Sequence, residues 1–565
     1  MTEMTGKRLV LETLRSENVR YVFGNPGGTV TPLLDEMIDY SDIKYILALH
    51  ENVASGMAYG YSKASGEPGV LFVHTTVGTA NIVGNLFNAH RDDVPIVVIA
   101  GRRHLWEHIH EPTLSSDTVS IVDQFTKWNW RLTRIDEMPI ALRRAFKIAT
   151  DTPPGPVYLS IPMNIFDETI DAEIHPPVRH RISSRVRGDP DLIKKAAKLL
   201  IDAQNPVIIA GDGVSRSSAT AELVKLAEMT SSRVYSEINT PSMNFPTDHP
   251  LYLGGGSLYS TGDIQSGLQS ADVVLAVGCK IFRNYIPPTT QLFPMRVKFI
   301  HVNHDPREIA KNYSVDVGIT ADAKRGLEDL MGEIQSLIDG EKSRIIKQRF
   351  ENVKKVKEEL VTSRKKGTFA EWDHVPIKLS RLMKEMRKAL RNDAVIVDES
   401  VTSWFHLIEH FDFPQPGTLI HNSGGYLGWG VGAALGAKLA LPDRQVVLLI
   451  GDGGIMYEVQ SLWTASRYNI PIVIVICNNG AYMATKTQLY FYDGKSRKSD
   501  KYVGVHLTES KLDFVKIAEG LGVHGERVEK PGEIAGALKR SLKRGEPVII
   551  DVIVDPTDAF SRVLS

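Results

Sequence analysis

The residues most able to do chemistry are Gly451-Asp452-Gly453-Gly454, which close the apolar run VVLLI and open a helical stretch. A second apolar run, PIVIVIC, ends in Asn478-Asn479-Gly480, with Asn479 27 residues after Asp452. Adjacent parallel strands would bring these two side chains together outside the carboxyl ends, where open α/β sheets bind ligands. A carboxylate and an amide carbonyl are hard oxygens suited to Mg²⁺ that keeps waters and phosphate oxygens as its other ligands. The free amides of a helix start favour phosphate at the same place. No third spaced glycine and no Gly-Lys-Ser/Thr follows, so the pattern is neither a dinucleotide fingerprint nor a P-loop. Taken singly, the Asp also reads as a helix cap and the Asn as a turn residue.

The elements that must carry these residues are legible as alternation. Short β-branched runs such as VLFVH, PIVVIAG, DVVLAVG and PVIIDVIV are separated by stretches with helical apolar spacing. That rhythm predicts βαβ units on parallel sheets. Residues 168–190 are polar, contain prolines and read as a linker. Residues 341–366 hold 14 charged side chains, 10 of them basic. They read either as an anion-binding patch or, preferably, as a solvated helix joining domains. The expected pieces are 1–170, 190–340 and 367–565. At a shift of 376, Phe87–Ala100 superposes on Trp463–Ile476 without a gap, and Gly78 falls on Gly454. The fold predicted is therefore α/β, with three doubly wound parallel-sheet domains of which the outer two are alike.

Composition bounds the function. In 565 residues, 42% hydrophobic and 24% charged, Lys plus Arg (66) nearly cancel Asp plus Glu (67). A net charge of −1 lacks the positive field that a nucleic-acid surface needs. Two cysteines cannot build a disulfide framework or a Cys-rich zinc site. The first residues lack a signal-peptide layout, and no apolar run approaches the roughly 20 residues needed to span a bilayer. The expectation is a soluble, cytoplasmic, multidomain protein.

The combination of GDG, about 27 residues and NN resembles the signature of thiamine diphosphate enzymes. Phe23-Gly24-Asn25-Pro26-Gly27-Gly28, then Glu51 in ALHENVASGMAYGYSKASG, then His74 in VHTTVGTAN, extend the resemblance through nearly the whole chain. It is similar to the superfamily of acetolactate synthases and 2-oxo acid decarboxylases and oxidases, with a texture nearest benzoylformate decarboxylase. In that family the three pieces are the pyrimidine-binding, middle and diphosphate-binding domains.

The resemblance implies roles. Asp452, Asn479 and the Ala481 carbonyl would hold Mg²⁺. Gly453, Gly454 and the amides beyond, with Tyr482, would cradle the diphosphate, and Thr402 would contact it. Leu427, in GGYLGWG with Gly425, would wedge beneath the cofactor. Asn25 would contact the cofactor, and Glu51 would meet N1′ of its pyrimidine. The small residues following Glu51 allow close packing, which leaves its carboxylate little water and lets it share a proton with a ring nitrogen; a helix N-terminal Glu favoured by the dipole is the plainer reading. His74 would relay protons or bind the substrate carboxylate; a structural histidine is the alternative. The sites would lie between subunits of a homo-oligomer, dimer or tetramer, with Glu51 and Asp452 of one site from different chains.

Departures touch the substrate pocket. Gly28 stands where the decarboxylase has a serine. The run IFRNYIPP offers Asn284 or Tyr285 where it has a second histidine. His104, His108 and His110 fall near the pocket and read as surface or pocket polarity. The middle piece has glycine-rich GDGVSRSS and YLGGGSLYS but no full G-x-G-x-x-G, so FAD is not expected. Residues 488–506 are polar and rich in Lys and Tyr, and by position would cover the site. The activity implied is decarboxylation of a 2-oxo acid to an aldehyde through an enamine, preferred for His74. An acetolactate-synthase-type carboligase is the alternative, and a non-catalytic subunit of the same fold is a third reading.

Overall fold

The computed structural model describes residues 2–256, 263–282, 292–510 and 512–558. Three six-stranded sheets, every neighbouring pair parallel, form the framework. Their inner strands are mostly buried and mostly apolar because helices cover both faces. Val446–Gly451 and Val473–Asn478 are buried except at their final residue.

The first sheet runs, edge to edge, Lys44–Leu47, Tyr21–Gly24, Gly69–His74, Ile96–Arg102, Val157–Pro162, Trp128–Arg131. The third runs Leu419–Ile420, Val395–Glu399, Val446–Gly451, Val473–Asn478, Val548–Ile553, His524–Val528. Numbered within each sheet, both have the order 2-1-3-4-6-5, which is the structural form of the repeat seen in the sequence. The chain changes side between strands 1 and 3, and the crevice so created lies beyond Gly24 and His74 in one sheet and beyond Glu399 and Gly451 in the other.

The middle sheet has the order 3-2-1-4-5-6, with Pro206–Ala210 as its first strand and Val273–Val277 as its fourth. This is the order of dinucleotide-binding folds, yet its crevice is closed. A Cβ on Gly211 would lie 2.5 Å from the Gly278 carbonyl oxygen, and one on Gly213 would lie 2.6 Å from Gly278 Cα. Asp212 is committed to Lys63 (3.3 Å) and Arg216 (3.1 Å), which hold its carboxyl well below the usual range against the cost of burial. YLGGGSLYS lies partly outside the described residues.

One stretch differs from its sequence reading and another agrees with it. Residues 168–190 are not all linker, since Thr169–Ala172 pairs antiparallel with Thr2–Thr5 and returns the chain to its own start. The charged stretch forms one helix, Gly340–Ala370, as the preferred reading had it. Among the described residues no helix is long and apolar enough to cross a membrane.

The outer domains meet through two helices, Glu51–Ser65 and Gly430–Ala440, which begin at the same end of their contact. Glycines make the contact backbone to backbone. A Cβ on Gly60 would sit 2.0 Å from the Ala433 carbonyl oxygen, and one on Gly436 would sit 2.0 Å from that of Met57. No side chain can yield there, so the helices must part. Gly60→Val or Gly436→Val should therefore cost about 1–3 kcal/mol or more. Thermal denaturation would show it, and an unchanged melting temperature would contradict the reading.

Candidate functional site

At the carboxyl edge of the third sheet lies a cavity of about 460 Å³. It brings together Thr402, Gly425, Leu427, Asp452, Gly453, Gly454, Asn479, Ala481 and Tyr482, residues spread over 80 positions. Asp452 begins the short helix after its strand, where one carboxylate oxygen accepts the Gly453 N–H (2.9 Å) and the other the Gly480 N–H (2.6 Å). Burial outweighs these bonds and pushes its carboxyl up to about 6. A carboxylate so poor in water is stabilised by a cation. Asn479 Oδ1 accepts the Ala481 N–H (3.0 Å), and the Ala481 carbonyl accepts from Met483 (2.8 Å). Carbonyl oxygens keep a second lone pair, so this donor set fits a hard divalent ion. Gly451 and Gly425 face open space, so backbone is bare to the cavity, and Gly425 has φ +88°.

Leu427 is set by its neighbours on both sides. Asn88 from the first domain bonds both backbone groups of Tyr426 (3.1 and 3.2 Å), and Asn52 donates to the Gly428 carbonyl. Beyond it, Glu399 accepts the N–H groups of Gly428, Trp429 and Gly430, and Glu458 accepts those of Val431 and Gly432. Two fully buried carboxylates thus share one helix start. Burial raises both, and Glu458 raises Glu399 further. His421, also lining the cavity, stacks on Trp404 (4.2 Å) with its Nδ1 3.1 Å from Asp398. The segment expected as a cover forms helices Met483–Phe491 and Lys495–Ser499, and is pinned by the bonds Tyr482 N–H to Val505 O and Leu507 N–H to Gly480 O, both 2.8 Å.

Glu51 and His74 do not line this cavity. They stand at the carboxyl edge of the first sheet, with Asn25 and Gly28 in the turn after Tyr21–Gly24. Glu51 is buried, and Asn81 donates to it (2.9 Å). The Thr29 N–H donates to His74 Nδ1 (3.3 Å), and the Thr29 hydroxyl lies 2.8 Å from both Nδ1 and the Gly101 carbonyl oxygen. The amide bond assigns the proton of the neutral ring to Nε2. Burial lowers the His74 pKa, keeping the ring neutral near pH 7. Nothing lies within 4 Å of a Cβ on Gly28.

Of the three histidines, His104 immediately precedes a 3₁₀ segment, Leu105–His110, and the other two lie within it. His104 stacks on Trp106 (4.5 Å), His108 meets the Arg103 carbonyl (3.2 Å), and His110 is exposed. Among the described residues no group of three or more His, Cys, Asp or Glu is placed to hold a metal. Asn284 and Tyr285 lie outside the described residues. Sequence reasoning missed Thr29, Asn81, Glu399, His421 and Glu458.

The carboxylate pair makes a pH prediction. A carboxyl raised in the fold keeps a proton that the unfolded chain releases, so its stabilisation is complete below about 4.5 and fades as pH rises toward about 8. Melting temperature should fall across that window. Glu458→Gln, which keeps an acceptor for Val431 and Gly432, should flatten the fall; an equal slope in both proteins would refute the raised Glu458 carboxyl as its cause.

The geometry agrees with what the chain is similar to. Residues 4–120 match the thiamine pyrophosphate enzyme N-terminal TPP binding domain, 193–330 the central domain, and 400–552 the C-terminal TPP binding domain. A "probable acetolactate synthase large subunit" of Methanocaldococcus jannaschii is 33% identical, over 99% of this chain and 93% of that one. A benzoylformate decarboxylase of Pseudomonas aeruginosa is 30% identical, over 96% and 97%. Among solved structures, a thiamine diphosphate-dependent 4-hydroxybenzoylformate decarboxylase of Rhodococcus jostii has a TM-score of 0.83 at 28% identity, covering 98% of this chain and 99% of that one. The chain belongs to the thiamine pyrophosphate enzymes, and both of its outer domains are thiamine diphosphate binding domains.

Proposed function

We propose that this thiamine pyrophosphate enzyme binds its cofactor with Mg²⁺ in the cavity around Asp452 and decarboxylates a 2-oxo acid to an aldehyde. Asp452, Asn479 and the Ala481 carbonyl hold the ion, which the desolvated Asp452 carboxylate supports. Gly453, Gly454, Thr402, Gly425 and Tyr482 hold the diphosphate, and Leu427 supports the cofactor from beneath. When bound, thiamine diphosphate supplies an electron sink for the carbon that loses CO₂. Asn25 contacts the cofactor, and Glu51 holds a proton at its pyrimidine end. Gly28 and His110 border the substrate.

The sites form between copies of the chain. Glu51 and His74 are absent from the cavity that holds Asp452, while apolar side chains near that edge of the first sheet face outward, Leu49 at 43%, Val77 at 42% and Trp106 at 65% exposure. A second copy covering them would bring Glu51 over the Asp452 cavity, making a homo-oligomer.

His74 is the observation that carries decarboxylation. Its ring is oriented by Thr29 and neutral at rest with Nε2–H facing away from that contact; uptake of a second proton makes the imidazolium, which gives a proton to the product carbon and returns to the neutral ring. The acetolactate synthase relatives support a second reading, in which a second carbonyl compound takes the place of that proton and a carbon–carbon bond forms.

Proton NMR of the protein with thiamine diphosphate, Mg²⁺ and a panel of 2-oxo acids decides between them. Aldehyde as the main product, falling by about 10²–10⁴-fold in His74→Ala, supports the decarboxylase. An acetohydroxy acid as the main product favours the carboligase and reduces His74 to a substrate contact. Separately, Glu51→Gln should slow turnover by about 10²–10⁴-fold. Asp452→Ala should weaken Mg²⁺-dependent cofactor retention by more than the roughly 10–100-fold that an outer-shell loss costs. Full activity in either variant would remove that residue's role.

A further inference from the structure

A second cavity, of about 610 Å³, shares no lining residue with the first. It lies between the middle sheet, where Pro206 and Arg233 begin their strands, and the long helix Gly340–Ala370. Three arginines line it: Arg233, Arg344 and Arg349.

Arg233 and Arg349 are only partly exposed, and their bonds go to neutral oxygens. Arg349 donates to the carbonyls of Thr230 (2.7 Å) and Ala203, bolting the helix to the ends of two others. Arg233 donates to Ser270 Oγ (2.7 Å) and the Asn205 carbonyl (3.3 Å). Among the described residues neither pairs with a carboxylate. Asp272, whose charge reaches both, has its two oxygens taken by the backbone N–H groups of Gln204 and Asn205. Burial holds both guanidinium groups below their ordinary pKa, and Arg233 repels Arg349 further. Arg344 is exposed one turn and a half earlier on the helix.

Ser231 also lines the cavity, and its buried hydroxyl has no hydrogen-bond partner. Such an orphaned donor costs roughly 1–3 kcal/mol unless something satisfies it. Like charges gathered around it with unused guanidinium N–H groups match the fork geometry of an oxyanion. Leu253 and Val356 supply an apolar wall beside them.

We propose that this cavity binds a small organic anion, its carboxylate or phosphate held by Arg233, Arg344, Arg349 and Ser231 and its apolar body lying against Leu253 and Val356. The volume suits a ligand of metabolite size. The site is independent of the proposed reaction.

The test is isothermal titration of the protein, saturated with thiamine diphosphate and Mg²⁺ at low salt, with adenosine monophosphate and with 4-methylpentanoate. One or both should bind at one per chain, the first probe reporting a phosphate ligand and the second a carboxylate. Arg344→Glu, which breaks no bond in the fold, and Arg233→Gln should each weaken binding by roughly tenfold to a hundredfold, the worth of one charged hydrogen bond. Turnover should be unchanged in Arg344→Glu. No binding of either probe overturns the proposal, and so does binding of equal strength in both variants.

Discussion

The crossing of helices Glu51–Ser65 and Gly430–Ala440 is the contact on which the rest depends. Because glycines let the backbones touch, the two outer domains have no freedom to slide, and a shift of either helix would drive Cβ or carbonyl atoms together. Both helices start at the same end. That brings the Glu51 turn beside the loop 422–429, where Asn52 and Asn88 reach across to bond the backbone on either side of Leu427. The loop beneath the candidate cofactor cavity is therefore positioned by the other domain.

Two adjacent helix starts also concentrate positive partial charge. The fold answers with acids. Glu399 and Glu458 accept five backbone N–H groups between them at one helix start, and Asp452 accepts one at another and one from the turn at Gly480. Hydrogen bonds satisfy the geometry, but burial still raises all three carboxyls. The difference lies in what faces them. Glu399 is raised further by the charge of Glu458 inside the fold, whereas Asp452 opens on a cavity where an ion can offset its charge.

The middle domain has the strand order of a dinucleotide binder without its open crevice. Gly211 and Gly213 pack on Gly278, and Asp212 is spent on Lys63 of the first domain. Asp93 of that domain in turn pairs with Arg216 (3.0 Å) and Lys280 (2.7 Å). The place where such folds receive a ligand is used here to dock one domain on another.

The sequence by itself determined the central strands, since runs buried on both faces must be continuously apolar, and it determined the repeat, since equal βα units keep equal spacing. It also marked Asp452 and Asn479, because strand ends in parallel sheets have a known destination. The edge strands Lys44–Leu47, Trp128–Arg131 and His524–Val528 were not legible, being short and partly exposed. Thr29 beneath His74, Asn81 beside Glu51, and the Glu399–Glu458 pair were decided only by tertiary structure. Each acts on a group 30 to 59 residues away along the chain. Hydrogen bonds and burial depend on distance in space, and a linear pattern records that distance only within one helix or strand.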